Sequence, residues 1–160
     1  MMTFDDASLD HAFLQTHTTL LLDSYRDRVG KELIGRTGDP EADARTLFEA
    51  PFAVASAGTE EDPVLNYGNA RALELWAMDW ATFTRTPAKQ TAEPDERGAR
   101  ERLLQLVREQ GYIDDYSGIR VTSEGQRFQI ERATIWNVTG VEGKYRGQAA
   151  ILHEWRMLQG

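Results

Sequence analysis

The residues able to do chemistry are few, and their spacing does not suit it. Asp114 and Asp115 form a carboxylate pair in sequence, but neighbours in an extended chain project to opposite sides and do not share a proton. Their expected role is turn geometry, or an ion pair with Arg120 or Arg132. Glu60, Glu61 and Asp62 could attract a divalent cation, yet three consecutive acids in one turn cannot all point at one ion, and a solvated turn is the better reading. His11 and His17 miss the i, i+4 spacing that sets two ligands on one helix face. With His153 near the end of the last strand, these histidines read as surface residues, and a haem ligand is not expected among them. The chain has Cys 0, which excludes disulfides, a thiol nucleophile and any chromophore attached through cysteine. No Gly-x-Ser-x-Gly, His-Glu-x-x-His or phosphate-loop pattern occurs, and no residue demands a cofactor.

One row stands out. Residues 127–138 read as a long strand, and alternation puts Phe128, Ile130, Arg132, Thr134 and Trp136 on one face. Gln129, Glu131, Ala133, Ile135 and Asn137 take the other. An arginine among Phe, Ile and Trp needs a partner if that face is buried, because an unpaired buried charge is costly. The partner is either an internal acid (Asp114, Asp115 or Glu74) or an anionic ligand group gripped bidentately.

The elements that must position these residues follow from caps and periodicity. Ser8 is the expected cap of a helix running to about Ile34, with an apolar stripe through Leu9, Phe13, Leu20, Tyr25 and Val29, and Gly35 as its stop. Asp39-Pro40 starts a short helix. Phe52–Ala57 and Val64–Tyr67 are strands about a Thr59–Pro63 turn. Asn69 caps an apolar helix, Asp79 a shorter turn with Trp80 and Phe83, and Pro94 opens a helix stopped by Gly111. Gly118–Thr122, Arg127–Val138 and Lys144–Trp155 are three successive strands with turns at Ser123–Gln126 and Gly140–Gly143. The length of 160 residues suits one α+β domain with a real core. Expected divisions are a helical extension over 1–50, packing on the core or on a dimer partner, and a core over 51–156. No apolar run reaches a membrane span, and the N-terminus lacks the basic region of a secretory signal, so a cytoplasmic protein is expected. The net charge of -8 opposes nucleic-acid binding. Arg97, Arg100, Arg102 and Arg108 alternate with Glu96, Glu101 and Glu109 and read as a solvated, salt-bridged helix face.

Two strands, a run of helices and a three-strand meander resemble the chain order of a PAS-type sensor domain. The wording is more specific. Asn-Tyr-Gly-Asn-Ala-Arg-Ala-Leu-Glu-Leu-Trp (66–76), Ala-Glu-Pro (92–94), Gly-Tyr-Ile-Asp-Asp-Tyr-Ser-Gly-Ile-Arg (111–120), Arg-Phe-Gln-Ile-Glu-Arg-Ala-Thr-Ile-Trp-Asn (127–137) and Gly-Gln-Ala-Ala (147–150) resemble the MEKHLA domain family, which is PAS-related. The likeness runs from about Leu20 to Trp155. It departs from the pattern at Ala57, where a His after Ser56 is expected, and in the absent Met-Glu-Lys-His-Leu-Ala string.

The resemblance implies a PAS-like, five-stranded antiparallel sheet covered on one face by helices, with an extra N-terminal helix. It implies no defined reaction. By analogy the Phe128–Trp136 row faces the helices and a cavity. Tyr67, Trp76, Trp80, Phe83, Phe128 and Trp136, with Ile130 and Thr134 in the same row, would line it, and Asn66, Gln148 and Arg132 would be polar anchors. The leading expectation is a non-catalytic sensory module that binds a small organic ligand, with an anionic one favoured by Arg132, and forms a homodimer through the N-terminal helix. A non-covalent flavin stays open. The alternatives are a filled-core interaction or dimerisation domain and a small-molecule enzyme of the cone-shaped NTF2-like fold.

Overall fold

Asp10, not Ser8, starts the first helix. In the computed structural model, which describes residues 1–159, α1 spans His11–Val29, and the Asp10 carboxylate accepts from the Phe13 N–H at 3.1 Å. The Ser8 hydroxyl is turned onto Asp6 at 2.6 Å and is not free to cap. Gly30, at φ 85, ends the helix before Gly35 can. The shorter elements follow their local signals. Asp39 and Pro40 open α2 (Pro40–Phe48), Asn69 caps α3 (Ala70–Trp76), Asp79 caps α4 (Trp80–Phe83), and α5 (Arg97–Gln110) stops at Gly111, φ 98.

The strands are β1 (Ala53–Ala57), β2 (Leu65–Gly68), β3 (Tyr112–Val121), β4 (Arg127–Thr139), β5 (Tyr145–Leu152) and β6 (Glu154–Met157). All pairings are antiparallel, in the order β2-β1-β5-β4-β3. The strand expected over Lys144–Trp155 is broken at His153, and β6 continues along β4 where β5 leaves it. β3 begins earlier than Gly118, so the segment carrying Asp114 and Asp115 lies within the sheet.

Two neighbouring residues fix which helix covers which face. Trp136 Nε1 donates to Ser24 Oγ of α1 at 3.0 Å, and its ring meets Tyr25 edge-on at 4.9 Å. Asn137 Nδ2 donates to the Val107 and Arg108 carbonyls of α5, each at 3.2 Å. Adjacent strand residues point to opposite faces, so α1 and α5 sandwich the sheet. The apolar stripe of α1, through Leu14, Leu21 and Tyr25, is buried against the chain's own sheet.

The expected single face from Phe128 to Trp136 is not observed. Arg132 adopts φ 55 and is exposed. This left-handed residue interrupts the pleat. Phe128 and Ile130 face α3–α5, Ala133 and Ile135 take over that face beyond Arg132, and Thr134 and Trp136 turn to α1. The guanidinium of Arg132 therefore points away from the interior, and among the described residues it has no carboxylate within ion-pair distance. A non-glycine residue in this conformation costs about 1 kcal/mol or more. Arg132→Gly removes that strain and adds chain entropy to the unfolded state. The expected net result in urea denaturation is a gain of about 0.5 kcal/mol; a loss above about 1 kcal/mol would mean that the arginine side chain stabilises the fold.

Candidate functional site

The two faces of the sheet are filled differently. Towards α1 the strands present large groups, among them Val54, Tyr67, Trp136, Val138 and Ile151, all buried. Towards α3–α5 they present Ala55, Ala57, Ala133 and Ala150. Small side chains under a layer of helices leave a hollow of about 120 Å³. Its apolar wall includes Leu65, Trp76, Phe83, Ile130, Ile135 and Leu152. Through Arg100, Leu104, Tyr145 and Gln148 it shares walls with a more polar cleft of about 310 Å³, which Glu61, Asp62, Lys89 and Glu101 also line.

Of the residues expected at a pocket, Trp76, Phe83, Ile130 and Gln148 line this hollow. Phe128 sits behind Trp76, ring centroids 5.5 Å apart. Tyr67 and Trp80 contact each other at 5.9 Å, Tyr67 packs on His17, and Trp80 packs on Phe13 and Phe48. Asn66 accepts from Ser56 Oγ at 2.6 Å. Thr134 and Trp136 belong to the α1 face, and Arg132 to the surface.

Two polar groups at the hollow, Arg120 and Arg100, were not expected there from the sequence. Arg120 is buried, with Nη1 donating to the Ile119 carbonyl at 2.9 Å and its guanidinium 5.2 Å from the Tyr116 ring centroid. Arg100 of α5, expected on a solvated face, is half-buried at the hollow. Burial, and then the positive charge of Arg120, lower its pKa to about 10. Asp114 and Asp115, the acids expected to pair with Arg120, are exposed. The indole N–H of Trp76 is buried and has no acceptor. Gln148 Nε2 donates to the Leu104 carbonyl at 2.9 Å and to Asn137 Oδ1 at 3.1 Å, which ties the wall of the hollow to α5. The hairpin register offered one signal for Arg120: it lies opposite Phe128, an inward residue.

His17 corrects another expectation. It is 8% exposed, not a surface histidine, and is stacked between Phe13 at 5.1 Å and Tyr67 at 5.4 Å. Its Nε2 lies 2.9 Å from Ser56 Oγ. Because that hydroxyl donates to Asn66 Oδ1, His17 is the donor to Ser56. Burial, reinforced by Arg146, lowers the His17 pKa to about 4. A serine beside a histidine suggests a nucleophile, but the serine proton is directed away from the imidazole and Ser56 is 3% exposed. His17 Nε2 is held by Ser56, whose side chain lies on the α1 side of the sheet although the residue borders the hollow. The Tyr67 hydroxyl next to it is buried without a partner, and burial raises its pKa.

Among the described residues no cluster of acids and histidines is arranged to hold a metal ion, and no helix is long and apolar enough to cross a membrane. The hollowed sheet has relatives. Homeobox-leucine zipper protein HOX9 of Oryza sativa subsp. indica is 23% identical over 133 residues, covering 82% of this chain and 16% of that protein. The protein of the same name from subsp. japonica matches to the same extent. This chain thus spans 16% of the length of those relatives. Among solved structures, a PAS domain from Colwellia psychrerythraea superposes with TM-score 0.59 at 14% identity, over 71% of this chain and 94% of that one. The LOV domain of the Erythrobacter litoralis EL346 blue-light activated histidine kinase gives TM-score 0.53 at 19% identity, over 66% and 96%. Both carry the likeness in fold alone. The MEKHLA domain model matches residues 15–157, across both faces of the sheet and the helices on each, and the chain belongs to the MEKHLA domain family, with a PAS-like fold.

Proposed function

We propose that this chain is a sensory module that binds a small organic molecule in the hollow between the alanine-lined sheet face and α3–α5, with no catalytic step of its own. The observation that carries the reading is the Trp76 indole: a buried donor without an acceptor, in a residue lining an apolar hollow. Buried polar groups are nearly always satisfied, so such a group marks a place where a partner belongs. The size favours a guest built on one ring or a short chain, since a cavity of roughly 150 Å³ takes benzene. A hollow of about 120 Å³ suits such a guest better than the fused three-ring system of a flavin. A filled-core interaction domain would have no use for the alanines at 55, 57, 133 and 150.

Indole and toluene are suitable probes. Both are expected to enter the wild-type protein and shift the Trp76 indole N–H resonance. Ala150→Leu, which puts an isobutyl group on the wall of the hollow, should abolish both shifts. Native mass spectrometry of the purified chain reads any retained metabolite, and also the homodimer, which belongs to the same proposal. No retained mass, together with no shift from either probe, would overturn the binding role and leave the interaction domain.

A further inference from the structure

We infer that the guest is a small organic acid, a monocarboxylate whose apolar body is one ring or a short chain, with its anionic end held by Arg100 and Arg120. The inference rests on the proposed binding role and names the chemistry of that site. Arg120 is 7% exposed and Arg100 half-buried, both beside the same apolar hollow. Among the described residues neither has a carboxylate within ion-pair distance. The contrast with other arginines is direct: Arg36 pairs with Asp23 at 2.7 Å, Arg45 with Asp5 at 2.8 Å and Arg127 with Glu93 at 2.7 Å, all nearer the solvent than Arg120. Of the acids closest in effect to Arg100, Glu101 is exposed, and Asp62 is engaged by Lys89 at 3.2 Å. Two sunken guanidiniums at one hollow repel each other, an effect that adds to the larger one of burial in lowering the Arg100 pKa. Each carries planar N–H donors that match a carboxylate edge, and a bound carboxylate would remove the repulsion and fill those donors together.

The surroundings select among anions. A neutral guest leaves the two charges uncompensated. In the neighbouring cleft Glu61, Asp62 and Glu101 offset Lys89, Arg100 and Arg108, so it adds no net positive charge for a second anionic group of a multiply charged guest. A monoanion with an apolar body suits both the arginines and the wall of Leu65, Phe83, Ile130 and Leu152.

The test pairs acids with their uncharged isosteres: benzoate with benzamide, phenylacetate with phenylacetamide, hexanoate with hexanamide, and inorganic phosphate as a plain anion. Titration calorimetry of the full chain should find at least one acid that binds about tenfold or more tighter than its amide, and tighter than phosphate. Arg120→Gln should lower that acid's affinity about tenfold and leave the amide's unchanged. Should Arg120→Gln not fold, Arg100→Gln, at a half-exposed position, carries the same prediction. Equal binding of acid and amide would overturn the acid class while leaving the binding role intact, and so would binding of phosphate alone. If no acid, no amide, and neither indole nor toluene binds, the binding role falls with it.

Discussion

Asn69→Ala should destabilise the chain by about 4 kcal/mol, near the top of the range for single substitutions. The residue is 0% exposed, and its amide makes contacts in four directions. Oδ1 accepts from the Ala72 N–H at 3.1 Å, the capping bond of α3, and from the Val54 N–H at 3.0 Å in β1. Nδ2 donates to the Leu47 carbonyl at 3.0 Å, in the last turn of α2, and to the Phe52 carbonyl at 2.9 Å at the entry to β1. One side chain thus joins α2, the start of β1 and the first turn of α3. Truncation orphans the buried N–H donors of Ala72 and Val54, each costing about 1–3 kcal/mol when nothing replaces the partner, and takes a donor from the Phe52 carbonyl and from the Leu47 carbonyl, which keeps the Ala50 N–H at 3.4 Å. The lost cap alone accounts for about 1 kcal/mol. Water entering the vacated space relieves part of the total and leaves a loss of about 4 kcal/mol. Asn69→Asp distinguishes the two halves: it keeps both acceptors, loses both donors and sets a carboxylate against two carbonyls, so it should be at least as damaging as alanine. Urea denaturation measures both variants. A loss below about 1.5 kcal/mol for alanine would mean that water substitutes for the amide throughout.

That residue also marks how far the sequence could be read. Asn69, Asp79, Asp39-Pro40 and Gly111 announce helix ends through interactions that reach only a few residues along the chain, and each is observed. The antiparallel meander and the turn at Gly125, φ 81, are local in the same sense. The first helix was misread at both ends because two side chains compete there: Ser8 and Asp10 can each cap, and the choice is settled when Asp6 takes the Ser8 hydroxyl. The faces of β4 failed for a different reason. Alternation assumes an unbroken pleat, and nothing in the residue type of Arg132 announces a left-handed backbone. The break is matched across the ladder at His153, a tertiary arrangement that no single strand contains.

Aromatic residues do not mark the hollow. Tyr67 and Trp136 are large, and large side chains fill space: both pack solidly against α1. Space remains where the chain supplies little to fill it, on the face of Ala55, Ala57, Ala133 and Ala150. Those alanines were visible in the sequence, but their shared face required the register of β1 with β5 and of β5 with β4. Arg100 was hidden by its neighbours, since a helix that alternates Arg and Glu looks solvated until one turn of it is laid over a hollow.

Acid should weaken the fold through His17, by about 2.5 kcal/mol between pH 7 and pH 4.5. The sign follows from proton uptake. In the unfolded chain the imidazole titrates near 6.5, whereas burial holds it at about 4 in the fold. Between those values the unfolded state binds the extra proton, so stability falls as pH drops through the window and stops falling through this residue once the folded form is protonated too. The physical cause is the slot between Phe13 and Tyr67, in which Nε2–H already serves Ser56 and an imidazolium would sit among apolar rings near Arg146. Carboxylates whose pKa values are lowered in the fold, Asp5, Asp6 and Asp79, weaken it only below the ordinary carboxylate range, and so contribute little above pH 4.5. His17→Gln isolates the effect: its amide can still donate to Ser56, but it does not titrate. Urea denaturation at a series of pH values should give curves that converge as pH falls, the variant losing about 2 kcal/mol less than the wild type by pH 4.5. Its deficit at pH 7, from the lost ring stacking, should shrink or reverse. Parallel curves would mean that the histidine takes up its proton in the fold as readily as in water, and the slot between Phe13 and Tyr67 would then have to be open to solvent.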